Sequence, residues 1–568
     1  MARARSRPKR IALWNRRQMT SASQLIRSLN HALNQRRVAL GTAILDRAEG
    51  TWAKLVPAHP NATELLLLLA QWVDVGYRDY HLLDSHLSKF VPHIRRSLHL
   101  DNYLRLRVVE GFRSLYAEDV GAALDSFDFV LKAEPDAIDE SLATLAHFWK
   151  GRAHRKKGEY EMALKSITQA RELAEKSRHE MFTAVIRIHE GWLFFQKGLR
   201  KEALRLLTQA ESTLKDTDDC LALGNIESAR GRIVRRFGEY AKALEHFDRA
   251  IAIYSSGMPA HRNLARTLVN AAYVKRLLAL QLRKRIDSRV RKPGAARPGN
   301  SPSHAPNGAA SLQARYQELW QEAILQLGRA REIYTLRGNA SGLGAVIVNS
   351  GYLHLDRGDI DRAAGEAMEA HRIGLEKDDP ILMARALILQ TSTENAKIEE
   401  QLGEDVDIAL HANQAKQLSH DALALAKHTQ NRRLLAAAYI ARGTTAANDF
   451  FQEWDLAKRC AREATELISV GESDHLLDDL AALKSRIMQA SGINDTLRGW
   501  SEGLVGEKTF QQVTEEFAEI VIPKVWLRED RKVSRVAECL SISPKKVRRI
   551  LRSTGYLDSE TNSGERGT

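Results

Sequence analysis

Little in this sequence could staple a fold, break a helix or cross a membrane. Cysteine occurs three times in 568 residues, at Cys220, Cys460 and Cys539, with no Cys-x-x-Cys or Cys/His spacing. That pattern excludes a disulfide framework and a zinc site, and it fits a reducing, cytoplasmic compartment. Proline is scarce at 13 and aromatics make up only 6%, while Ala and Leu dominate the apolar fraction, so an all-α protein is expected. There is no uninterrupted apolar run of about 18 residues, the length that spans a bilayer. Leu65 to Ala70 is a short core stretch, and the N-terminus lacks the apolar region of a signal peptide. No membrane association is expected.

Catalytic patterns are missing as well. Neither HExxH nor GxSxG occurs, and the 19 histidines are dispersed, with His147, His154 and His246 set in helical stretches where surface or satisfied core roles are expected. The run from Gly503 through Gly506 to Lys508 and Thr509 approaches a phosphate loop but fails its spacing, because Glu507 separates Gly from Lys and no strand precedes it. No enzyme activity, cofactor or metal is expected.

Basic charge is present, but in blocks. The formal net charge is +14. Residues 1–17 hold seven basic side chains and no acid, 283–297 hold seven and one, and 528–552 hold nine and three, an excess of 19 that leaves the remainder at −5. Such blocks suit a localised contact with a polyanion rather than a generally adhesive surface.

A period of forty residues organises the rest. Gly111, Gly151, Gly191 and Gly231 recur at that spacing, as do Gly158, Gly198 and Gly238; Ala123, Ala163, Ala203 and Ala243; Phe127, Ile167, Leu207 and Phe247; and Ala170, Ala210 and Ala250. The first glycine falls within a helix, where it costs about 1 kcal/mol against Ala and admits a close neighbour. The second, in KKGEY, QKGLR and RFGEY, ends that helix in a left-handed C-cap. The small Ala and the large apolar residue four positions on place a groove and a knob on one face of the next helix. Tyr80, Leu83, Leu87 and Phe90 fit the frame weakly upstream. Gly351, Gly358, Ala363 and Ala370 repeat it downstream, and Ala457, Ala461 and Ala464 close the array.

This pattern of small residue, turn glycine, Ala, large apolar residue and Ala, with Pro135 ending one unit, resembles the tetratricopeptide repeat with longer helices. The resemblance implies an α-solenoid over 21–490 whose concave face takes a protein or peptide partner. The stretch 286–311, with four prolines and almost no large apolar group, is expected to be a disordered insertion between the helices 264–285 and 312–337. A smaller insertion, 399–407, lengthens a turn. A basic arm over 1–20, a linker over 491–506, a terminal domain over 507–557 and a tail over 558–568 complete the division.

The terminal stretch KVSRVAECLSISPKKVRRILRSTGYL, 532–557, is built differently. Val533, Val536, Ala537 and Leu540 share one helical face. Ser543 is a good N-cap and Pro544 suits the first helical position, so a second helix is expected to run to Ser553 and end at Thr554-Gly555. Its inward stripe is Val547, Ile550 and Leu551. Lys545, Arg549 and Arg552 cluster opposite, flanked by Lys546 and Arg548. Two short helices with an apolar back and a cationic front can enter a DNA major groove. Val533 to Ala537, Leu540, Ile542-Ser543, Val547, Leu551 and Gly555-Tyr556-Leu557 resemble the helix-turn-helix of the Fis family and related bacterial regulators. The resemblance implies DNA as a partner, contacted by Ser543, Lys545, Lys546, Arg548, Arg549 and Arg552, with dimerisation to gain affinity. The resemblance does not extend to the ATPase module that such regulators often carry, and none is expected in this sequence. The helix expected to pack beneath, 510–527, should break or kink at Pro523. The competing reading is an adaptor that binds protein partners without specific DNA binding.

Overall fold

The computed structural model of the chain describes residues 22–53, 55–77, 80–134, 138–291, 305–400, 407–469, 471–490, 500 and 508–557. The basic arm, the tail, Pro135, the centre of the 286–311 insertion, most of the 399–407 insertion and nearly all of the linker, with the Gly503–Gly506 run, lie outside the described residues. Among the described residues there are 26 helices and no strand, and no helix is long and apolar enough to cross a membrane. The chain divides into two compact units, Met1–Leu480 and Ala481–Thr568.

The first unit is an α-solenoid of tetratricopeptide-like hairpins. Leu100–Tyr116 pairs with Val120–Leu131, Glu140–Lys157 with Tyr160–Lys176, Glu180–Gln196 with Arg200–Leu214, and Cys220–Arg236 with Tyr240–Gly257. Four more hairpins follow, from Arg262–Arg291 with Ala305–Leu336 to Arg432–Ala446 with Trp454–Leu467. The pair around the expected insertion is longer than the sequence pattern suggests. Residues 286–291 and 305–311 are helical, because lengthening a helix already anchored by packing adds one hydrogen bond for each residue fixed.

The forty-residue frame has a direct packing cause. A Cβ on Gly111, Gly151 or Gly231 would meet Phe127, Ile167 or Phe247 at 2.6–2.7 Å, so each intrahelical glycine is the hole for the knob of its own hairpin. At Gly191 the close neighbour is the Ala203 carbonyl at 3.1 Å. Ala123, Ala163, Ala203 and Ala243 are fully buried at the same crossings.

The array then returns on itself. Arg36 donates to Asp219, 183 residues on, and Asn339 Nδ2 donates to Glu118 Oε1 across 221 residues. The Gln430 amide donates to the Gly158 carbonyl at 2.9 Å, and the Ser473 amide to the Arg236 carbonyl at 2.9 Å. Arg432 Nε reaches the Gln196 carbonyl at 3.1 Å. The turn glycines therefore have a second use. Gly158, Gly198 and Gly238 sit at φ +83°, +86° and +74°, and the space above them is taken by Thr429, Ser469 and Ser473 of the later repeats.

Candidate functional site

The terminal unit builds its cationic helix on a small core. Thr509 caps Phe510–Arg528 in a reciprocal pair with Gln512, and the helix runs without a break through Pro523, whose ring is buried. Of the break or kink expected at Pro523, the break is absent, because Ala518, Ile522 and Trp526 on the same helix are held against the next two helices. Val533–Cys539 contributes Val536 and Ala537. Pro544–Ser553 contributes Val547, Ile550 and Leu551, each at most 2% exposed. Between them, Ser541 turns the chain at φ +50°, and the Ile542 amide donates to the Ala537 carbonyl at 3.0 Å.

Each end of the cationic helix is closed as its residues dictate. The Ser543 hydroxyl accepts from the Lys546 amide at 3.2 Å, and Pro544 follows in the first turn. Beyond Thr554, Gly555 takes φ +77°, which lets the Tyr556 amide return to the Leu551 carbonyl at 2.8 Å and sets the Tyr556 ring edge-on to Trp526.

Lys545, Lys546, Arg548 and Arg552 are exposed and, among the described residues, have no ion-pair partner. Arg549 differs from the sequence expectation. Its Nη2 donates to Glu515 Oε1 at 2.7 Å, so it is partnered by the underlying helix instead of standing free with Lys545 and Arg552. A helical-wheel reading sees only the helix's own residues, and Glu515 is 34 positions away. Ser553 Oγ, one turn on, faces Glu519 Oε1 at 3.4 Å along the same edge.

The array holds a second cationic group, which the charge count along the chain did not reveal. The position after each intrahelical glycine reads Phe112, Arg152, Trp192, Arg232, and it points to the side shared by successive first helices. Arg152 Nη1 donates to both oxygens of Asp74 at 2.5 and 2.6 Å. Arg155 lies against His189 Nδ1 at 3.2 Å, and the guanidiniums of Arg155 and Arg232 lie 5.1 and 5.2 Å from the Trp192 ring. Arg262 covers Tyr116 at 4.7 Å, and Arg266 donates to Asn225 Oδ1 at 3.2 Å while its Nε is buried without a partner.

Like charge accumulates there. Burial, then Arg266, Arg152 and Arg232, push the Arg155 guanidinium well below the ordinary arginine range. Burial with Arg266 and Arg235 brings Arg232 down to about 9, which still leaves it protonated at neutral pH. His189 and His261 are held neutral by burial and by the same arginines. Burial alone would raise Asp74, but the charge and hydrogen bond of Arg152 overcome it and hold the carboxylate ionised. Elsewhere in the array Arg276 grips Asp356 with bonds of 2.5 and 2.8 Å and Arg433 bridges Glu472 and Asp474, whereas the buried Arg236 is held by the Phe195 carbonyl and Gln196 Oε1.

No protein-family description matches the chain, and no curated protein matches it. Among solved structures, the chain is similar to a Rap protein complexed with competence and sporulation factor, at 10% identity over 72% of this chain and 99% of that one, with a TM-score of 0.48. A human IFIT1 dimer with m7Gppp-AAAA is similar at 12% identity over 79% and 95% of the two chains, TM-score 0.43. The apo form of the quorum sensor NprR from B. thuringiensis is similar at 14% identity over 79% and 98%, TM-score 0.35.

Proposed function

We propose that the protein is a DNA-binding transcriptional regulator in which the repeat array receives a protein or peptide partner and the terminal three-helix unit contacts DNA. The observation that carries the reading is the make-up of Pro544–Ser553. Val547, Ile550 and Leu551 are buried on one side, while Lys545, Lys546, Arg548 and Arg552 are exposed without ion-pair partners among the described residues. A short helix that commits one face to packing and leaves four cations unneutralised has the form of a recognition helix, whose arginines read guanine edges and whose lysines neutralise phosphates. One such helix makes few phosphate contacts, so a homodimer on two half-sites would supply useful affinity.

The test is binding of the full chain to mixed-sequence and genomic DNA across a salt series, for wild type and for Lys545→Ala/Arg552→Ala. The expected result is steeply salt-dependent binding whose log–log salt slope falls by about 2 in the double variant. Binding unchanged by the substitutions would remove this face as the interface. No binding at low salt would favour an adaptor that works through the array alone.

A further inference from the structure

The arginine group inside the array has more positive charge than its surroundings neutralise. Arg155, Arg232 and Arg262 are each pushed down by burial and by neighbouring guanidiniums, that of Arg266 among them in every case, and the carboxylate that reaches the group is Asp74, engaged by Arg152. Among the described residues, Arg155, Arg232 and Arg266 have no carboxylate at ion-pair distance. Enclosed charges of one sign destabilise a fold unless something offsets them. Their cost persists here although the same array pairs Arg276 and Arg433 fully.

We propose that this interior face, built by the first helices of four successive hairpins, is the receptor site for an acidic peptide segment whose carboxylates are held by Arg152, Arg155, Arg232, Arg262 and Arg266. The proposal rests on the reading of the array as a receptor and specifies its ligand. One observation and two general points of geometry direct the choice. The guanidiniums come from Glu140–Lys157, Cys220–Arg236 and Arg262–Arg291, with Trp192 of Glu180–Gln196 between them, so the site is elongated across repeats. Packed helices lie about 8–10 Å apart, so four in a row cover roughly 25–30 Å, the reach of about eight extended residues. The fork of a guanidinium also matches a carboxylate in two-point contact.

The aromatic rings argue against a single-stranded nucleic acid in this site. Such ligands are held by bases stacked on open rings. Here Trp192 carries Arg155 and Arg232, Phe148 carries Arg152 at 5.4 Å, and Tyr116 carries Arg262 on one side and stacks with Tyr80 at 4.3 Å. The rings are occupied by the cations that would grip a carboxylate.

The test uses the full chain with fluorescein-labelled decaglutamate as probe, and decathymidylate and inorganic polyphosphate as comparators. Decaglutamate is expected to bind the wild type, to raise its Tm, and to bind Arg155→Met/Arg266→Met at least tenfold more weakly. That variant should itself have a higher Tm than wild type, because methionine keeps the packing of the stem and removes the repulsion. Arg155→Lys/Arg266→Lys, which keeps the charge and loses the fork, should fall between the two and serves if the methionine variant does not fold. Equal decaglutamate affinity in wild type and both variants would overturn the proposal. So would tighter binding of decathymidylate or polyphosphate that the same variants abolish. Lys545→Ala/Arg552→Ala should leave decaglutamate binding unchanged, so a failure of DNA binding counts against the regulator reading and not against this site.

Discussion

Two cationic groups in one chain are managed in opposite ways. On Pro544–Ser553 the charges stand in solvent, where water screens them and their mutual repulsion costs little; nothing but a small apolar stripe is needed to hold the helix. In the array the charges are enclosed, their like-sign neighbours depress one another, and aromatic faces partly compensate them at about 0.5–2 kcal/mol each. An exposed cationic face suits a large rigid partner approached from outside. An enclosed one suits a slender partner that can enter.

The sharpest way to break the contrast is to remove the support of the exposed group. Leu551→Ala should cost the terminal unit about 3 kcal/mol, since the side chain is fully buried in a core of few residues. Hydrogen exchange should then show loss of protection over 510–557, with helices of the array unchanged. Loss spread over both units would contradict their separate cores.

The array's equivalent weak point is its closure. Gly238→Val places a side chain at φ +74° with Ser473 Oγ and its carbonyl oxygen within 2.9 Å of the new Cβ, and should cost about 2 kcal/mol in thermal unfolding. Gly338→Val has a comparable backbone, φ +58°, but meets nothing within 4 Å, and should cost roughly half as much. Equal losses would mean that the return of the later repeats onto Gly238 contributes nothing.

Protons test the enclosed side of the comparison. Burial, opposed by Asp474 and reinforced by Arg276, Arg433 and Arg235, brings His475 down to about 3, and its ring faces the Tyr273 hydroxyl at 2.7 Å. In the unfolded chain the imidazole titrates near 6.5. The native state therefore binds fewer protons than the unfolded state between these values, so stability is full above about 6.5 and falls as pH drops toward 3. The Tm of wild type should decline across that window, and His475→Gln should decline less. A parallel decline in the two would assign the acid sensitivity to other groups.

The smallest effects sharpen the exposed side. Ser543→Ala should cost the terminal unit about 1 kcal/mol through the lost cap, measurable by its own unfolding step. Glu515→Gln releases Arg549 from an exposed ion pair worth about 0–1 kcal/mol, and should tighten DNA binding a few-fold at low salt without a change in Tm. Weaker binding in that variant would mean that Glu515 positions Arg549 for its contact.

Much of this molecule was legible in advance, for a local reason. The cap at Ser543, the proline after it, the Val547, Ile550 and Leu551 stripe and the left-handed Gly555 depend on residues within one turn of each other. The forty-residue frame is equally local, because each glycine and its knob belong to one hairpin. The Arg549–Glu515 ion pair was not legible because Glu515 belongs to another helix, and Pro523 was expected to break or kink a helix that packing holds continuous.

By itself, then, the sequence determined the helical hairpins, their period and the terminal helices, since capping, turn conformation and knob-into-hole contact act over a few residues. Only the tertiary structure decided where the array meets itself and which arginines converge. The contacts of Arg36 with Asp219 and of Gly158 with Gln430 join residues 183 and more apart, and no periodicity in either segment encodes the other. Summing charge along the chain made the array mildly acidic. Folding sorted that charge in space and brought Arg155, Arg232 and Arg266 together within it.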